Sequence, residues 1–207
     1  MTTTPKKPTD AAFSLESLRG YVNLGSGWRY PPKEFDLYGE AFRRAGQKLA
    51  QSLSDNPAYH HLDACPIVFL YRQAIELYFK ALLRSGKRLW SLEDNTLTFD
   101  ELILDQHNLS PFLAPIRELY DELGWSQSYD DCARFVARLN EIDPLSAAFR
   151  YPVKKKGRGN SLPDDFVFNL LEFAASAERV LEVLYEVLHG LEHRLEETTE
   201  WLSNLDG

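Results

Sequence analysis

At 207 residues, with 44% hydrophobic and 13% aromatic side chains, the chain has enough apolar material for one domain with a packed core, which argues against a disordered polymer. A formal net charge of −8 excludes a surface that is basic throughout, so any contact with nucleic acid must be focal. The two cysteines, Cys65 and Cys132, stand far apart in apolar helical contexts without a C-x-x-C partner, the pattern of reduced thiols acting as small hydrophobes in a cytoplasmic protein.

Residues 1–33 read as an N-terminal tail and irregular arm. The first twelve are polar, with no apolar core of signal-peptide length, and Gly20, Gly25, Gly27, Pro31 and Pro32 then punctuate a stretch holding Trp28 and Tyr30. Residues 34–207 form the helical domain. From Glu34 to about Leu53, Phe35, Tyr38, Phe42, Ala45, Leu49 and Leu53 fall on one face, and Asp55-Asn56-Pro57 supplies the stop.

The second helix, residues 66–84, is apolar almost all round except for Arg72, Glu76, Lys80 and Arg84, which recur every four residues on one slowly drifting face. Such a helix belongs at the centre of a bundle, and its charges must pair or line a site, because unpaired charge in an apolar interior costs several kcal/mol. Asp63 is placed to cap it, Pro66 is tolerated in its first turn, and Gly86 is placed to end it. The charges also interrupt the longest apolar stretch, so no membrane span is expected. Residues 87–105 read as a long connection or a short extra helix, with Thr96 to Thr98 too brief for a strand.

A third helix starts within His107 to Pro115 and runs through Ile116, Leu119, Tyr120 and Leu123 to Gly124. The fourth opens on Ser128 and Asp131, an approximate capping box, and carries Cys132, Phe135, Val136, Leu139 and Ile142 inward until Asp143-Pro144 breaks it. Residues 145–163 hold Phe149-Arg150-Tyr151-Pro152 and the one dense basic run, Lys154-Lys155-Lys156-Gly157-Arg158. After Pro163-Asp164 a long helix extends to about Ser203, with Leu170, Ala177, Leu184 and Leu191 spaced by seven and interleaved with Ala174, Leu181, Leu188, Leu195 and Leu202. At a rise of 1.5 Å per residue it would reach about 55 Å and overhang a small bundle. The expectation is a homodimer paired through this C-terminal helix; the alternative is cover by the first helix and the arm.

The run Arg72-Gln73-Ala74-Ile75-Glu76-Leu77-Tyr78-Phe79-Lys80-Ala81-Leu82-Leu83, followed after a gap by His107-Asn108-Leu109, resembles the A-x-E-x-x-L-K-A-L-L … H-D-L signature of HEPN domains. The resemblance implies an all-α bundle of four to five helices with a long C-terminal helix. It also implies an RNA- or nucleotide-associated role in bacterial stress response or phage defence, as a ribonuclease toxin or as a non-catalytic partner of a nucleotidyltransferase or antitoxin. The R-x4-6-H motif of the ribonuclease members is missing: no arginine and histidine here have that spacing, and the positions where Arg150 would call for histidine hold Lys155, Lys156 and Gly157.

The expected function is therefore a non-catalytic binding or partner module, with a metal-independent ribonuclease and a structural dimeric scaffold as alternatives. A ribonuclease would need a substituted set, with Arg150 on the scissile phosphate, Tyr151 or a lysine as acid and His107 as base. The candidate phosphate-binding residues are Arg72, Glu76, Lys80, Arg150, Lys154, Lys155, Lys156 and Arg158, with Tyr151, Tyr30 or Trp28 available to stack on single-stranded bases. Arg-Tyr-Pro occurs twice, at residues 29–31 and 150–152. The charged line of the second helix is either an internal ladder, Glu76 accepting from Arg72 and Lys80, or a support that sets Arg72 and His107 beside Arg150. His189, Glu192 and His193 fit an H-x-x-E-H string, but Leu191 lies on the apolar seam, so the three point outward and no metal or other cofactor is expected. His60-His61 falls in a connecting loop.

Overall fold

The computed structural model describes residues 35–55, 61–93, 100–154 and 159–205. The arm with Trp28 and Tyr30, the first Arg-Tyr-Pro, His60, Thr96 to Thr98, Lys155, Lys156 and Arg158 lie outside the described residues. Five α-helices follow in order: α1 (Phe35–Ser54), α2 (Ala64–Leu92), α3 (Ser110–Glu122), α4 (Ser126–Ile142) and α5 (Leu170–Leu205). Short 3-10 turns at His61–Asp63 and Glu101–Asp105 precede α2 and α3. Among the described residues there is no β-strand, only one isolated antiparallel bridge between Val153 and Asn160, so the domain is all-α. No described helix is long and apolar enough to cross a membrane.

The central element is α2. It packs against α1, α3 and α5, while α4 lies on α3 and α5. Ile67, Val68, Tyr71, Ala74, Ile75, Tyr78, Phe79, Leu82 and Leu83 are all buried, so nearly its whole circumference faces protein, as the apolar sequence requires.

Two boundaries differ from the sequence expectation. Helix α2 continues through Gly86 to Leu92, and Gly86 is a buried helical residue on which α3 sits: a Cβ there would stand 2.5 Å from Leu119 Cδ2. Close helix approach, and not a left-handed cap, accounts for this glycine. Helix α4 begins at Ser126, two residues before the expected cap, because α3 ends in a tight hairpin. Gly124 adopts φ 74°, its N–H donates to Asp121 O, and Trp125 N–H donates to Tyr120 O at 2.8 Å, which together form a Schellman stop that leaves no room for a longer linker.

The seven-residue seam of α5 is covered within the chain. Leu170, Ala174, Ala177, Leu181, Leu184, Leu188, Leu191 and Leu195 are buried, mainly against α2 with a share from α1. The exposed leucine row on which two-fold pairing was expected is therefore not present at these positions; among the described elements α2 is the main cover. Arg43 of α1 adds a polar clasp, donating to Glu178 Oε2 at 2.9 Å and Glu182 Oε2 at 2.6 Å. The glycine in mid-α5, Gly190, lies under the Trp125 indole, and a Cβ would overlap that ring.

Two stability and reactivity outcomes follow from this packing. Gly190→Ala would ordinarily gain about 1 kcal/mol of helix propensity, but here the rigid indole must move, so denaturant unfolding should show a net loss of about 1–3 kcal/mol. Burial pushes the Cys132 thiol up to about 12 and raises that of the half-buried Cys65 as well. Timed thiol labelling at neutral pH should therefore modify Cys65 first and Cys132 only in denaturant; rapid labelling of both would contradict this packing.

Candidate functional site

Arg72, Glu76 and Lys80 stack one helical turn apart on the inward face of α2, with Arg72 and Glu76 at 0% exposure. Glu76 Oε2 accepts from Arg72 Nη1 at 3.1 Å, and Oε1 accepts from Lys80 Nζ at 2.9 Å. The expected ladder is present. A third partner comes from outside the helix: His107 Nδ1 lies 3.0 Å from the same Oε1. A carboxylate flanked by Arg72 and Lys80 can only accept, so Nδ1 carries the proton of this bond, and in the neutral ring the lone pair lies on Nε2. The His107 side chain is 57% exposed, so that nitrogen belongs to an accessible ring.

Arg72 spreads its fork over three elements. Besides Glu76 it donates from Nη2 to His107 O at 2.5 Å and from Nε to Asp143 O at 3.1 Å, and Asp143 Oδ2 lies 3.6 Å from Nε. Burial lowers the Arg72 pKa from the ordinary guanidinium value, Asp143 and Glu76 oppose that, and the positive charge of nearby Arg150 adds to the lowering. With two carboxylates facing it, the guanidinium stays cationic.

The loop bearing Arg150 is shaped by Asp143. Pro144 stops α4 there, and Asp143 Oδ1 accepts from the amides of Ala147 at 2.6 Å and Ala148 at 2.9 Å. Ser146 takes the left-handed conformation at φ 54°, and its carbonyl accepts from Arg150 Nε. The Arg150 guanidinium lies 5.3 Å from the Phe69 ring centroid and 5.6 Å from that of Tyr151, a stacked cation with aromatic support below and beside it. Tyr151 and Lys154 are exposed. Lys154 N–H donates to Gly159 O and Ser161 N–H to Pro152 O, both at 3.0 Å, so residues 152–154 and 159–161 pair antiparallel.

The segment His107-Asn108-Leu109 is held from the other side. Leu109 is fully buried, its N–H donates to Asn140 Oδ1 at 2.9 Å, and Asn140 Nδ2 donates to Ser110 Oγ at 2.7 Å. Asn108 Oδ1 accepts from Ser110 N–H at 2.9 Å, opening α3.

The structure therefore joins Arg72, Glu76, Lys80 and His107 directly and sets Arg150 beside them, with Tyr151 and Lys154 following on the same loop. Burial gives Arg72 and Glu76 the role of support beneath the surface, at which His107, Arg150 and Lys154 are exposed. Asn140 and Phe69 were not singled out from sequence, and Asp143 was marked there only as the break that ends the fourth helix. Two hollows elsewhere, one lined by Phe35, Arg84 and Leu102 and one between α4 and α5, share no described lining residue with this corner. His189 stacks on Tyr185, His193 Nδ1 lies 3.4 Å from Glu197, and no group of three metal-ligating residues occurs among the described residues. The chain matches no protein-family model, and no curated protein or solved structure is significantly similar to it.

Truncating one member of a buried ion cluster leaves the others uncompensated. Glu76→Ala should lower unfolding free energy by about 3–5 kcal/mol. Arg138→Ala, which removes an exposed pair with Glu141, should change it by less than about 1 kcal/mol. Equal effects in denaturant titrations would mean that Glu76 is solvated.

Proposed function

We propose that the chain is a HEPN-like helical module that binds RNA or a nucleotide-containing partner, without cleaving it, at the corner formed by His107, Arg150, Tyr151 and Lys154. One observation carries this reading: in a chain of net charge −8, an arginine stacked between Phe69 and an exposed tyrosine sits beside a buried ionic cluster and just before the basic run. Arginine supplies a planar, permanently charged donor for phosphate, and Tyr151 supplies a face for an unpaired base. The resemblance to HEPN domains supports a setting in stress response or phage defence, with a nucleotidyltransferase or antitoxin as the partner class.

A metal-independent ribonuclease is the second reading, and the Glu76–His107 pair favours it. A proton held on Nδ1 by the carboxylate leaves Nε2 able to take a proton from a 2′-hydroxyl, with Arg150 on the phosphate.

Incubation of the purified chain with mixed single-stranded RNA in EDTA separates the readings. The expected result is intact RNA, a mobility shift, and about tenfold weaker binding for Arg150→Ala, a loss of about 1.4 kcal/mol that matches one charge-assisted hydrogen bond. The slope of log K against log salt should become shallower by about 0.7 per phosphate contact removed. Cleavage that Arg150→Ala and His107→Ala both abolish would establish the ribonuclease instead, and binding unchanged by Arg150→Ala and by neutralising Lys154, Lys155 and Lys156 would remove this corner from the function.

A further inference from the structure

The pairing of Glu76 with His107 also supports chemistry that does not depend on RNA. We propose that His107 is a phosphoryl acceptor: its Nε2 takes a phosphoryl group from a small acyl phosphate that docks against Arg150.

Three features of the site combine in this assignment. The first is nucleophilicity. Glu76 Oε1, 3.0 Å from Nδ1, holds the proton there, so the lone pair sits on Nε2 of a ring that is 57% exposed. The second is charge. When a neutral imidazole protonated on Nδ1 forms a bond through Nε2 the ring becomes cationic, and the group already facing it is a carboxylate whose other oxygen is engaged by Arg72. The third is position. Arg72 Nη2 donates to the His107 carbonyl and its Nε to the carbonyl of Asp143, whose carboxylate holds the turn that carries Arg150, so the segments bearing the nucleophile and an exposed guanidinium are both tied to one buried side chain.

The step balances without a redox partner. The Nε2 lone pair forms the N–P bond as the bond from phosphorus to the acyl oxygen breaks; its electron pair leaves on the carboxylate product. That leaving group is a weak base and asks for no general acid. The Nδ1 proton stays between the ring and Glu76. A single imidazole does not make a metal site, and the other described surface histidines lack a buried carboxylate behind the ring: His189 packs edge-on against Tyr185, and His193 Nδ1 lies 3.4 Å from a Glu197 that is itself exposed.

Acetyl phosphate is the probe. The wild-type chain is incubated with it, digested under alkaline conditions, and its phosphorylated residues are located by mass spectrometry, with acid lability and base stability separating N-phosphate from acyl phosphate on Asp or Glu. His107 should be labelled at least tenfold faster than His189 or His193 in the same molecules, and Arg150→Ala should slow it severalfold. Glu76→Gln, which keeps the volume and removes the charge, should slow labelling of His107 about tenfold while leaving His189 unchanged. Labelling of the three histidines at one rate, label confined to carboxylates, or no label at all would overturn the proposal. The comparison within the wild-type chain decides it even if the Glu76 variant does not fold. RNA binding is not consulted, so failure of the phosphoryl chemistry and failure of the RNA reading are separate results.

Discussion

The Glu76 carboxylate is the group on which the rest of the site depends. An anion of that size carries a desolvation penalty of several kcal/mol when taken into a protein interior, and the penalty is offset only when its lone pairs are engaged by well-placed donors. Spacing provides two of them without any tertiary accident: Arg72 lies one turn before and Lys80 one turn after, so α2 brings both to the carboxylate as it forms. The third, His107, arrives only when the segment before α3 docks. Docking of that segment and completion of the ionic cluster are one event.

Arg72 extends the same logic to the other half of the corner. Its guanidinium bonds a carboxylate on its own helix, the carbonyl of His107 and the carbonyl of Asp143 at the end of α4. A lysine there would offer one compact charge, whereas a planar fork with five donors reaches three acceptors in different directions. Two remote stretches of chain, one bearing His107 and one bearing Arg150, are thereby referred to a single buried group. Polar cores of this kind contribute less to stability than apolar packing of the same volume; what this one contributes is position, because neither loop can shift without leaving a buried Arg72 N–H without its acceptor.

Much of this was legible in the sequence, and the parts that were not have a common cause. The period of the apolar residues located five helices, and the four-residue recurrence of Arg72, Glu76 and Lys80 identified the ladder. Periodicity describes one element at a time, however. It showed a leucine seam on α5 but not that α2 fills it, and it showed an Asp143-Pro144 break but not that Asp143 caps the following loop and receives Arg72. Gly86 illustrates the same limit. A glycine after an apolar run is a reasonable stop by local rules, and here the deciding term is the approach of Leu119 from a different helix. Asn140 and Phe69 act only across elements, so no local pattern marked them.

The distribution of charge adds a constraint on any partner. On α5, Glu178 and Glu182 are committed to Arg43, while Glu172, Glu186, Glu196, Glu197 and Glu200 remain exposed. On the proposed reading, a polyanion approaching the chain is repelled over much of that helix and attracted at the Arg150 loop. At physiological ionic strength the Debye length is about 8 Å, so exposed carboxylates farther than that from the bound phosphate are largely screened, while a guanidinium in direct contact is not. The acidic surface then acts against loose, non-specific association more than against the seated ligand. The proposed corner, focal on an acidic fold, would trade overall affinity for placement, which suits recognition of a single phosphate or a short unpaired segment better than tracking along a duplex.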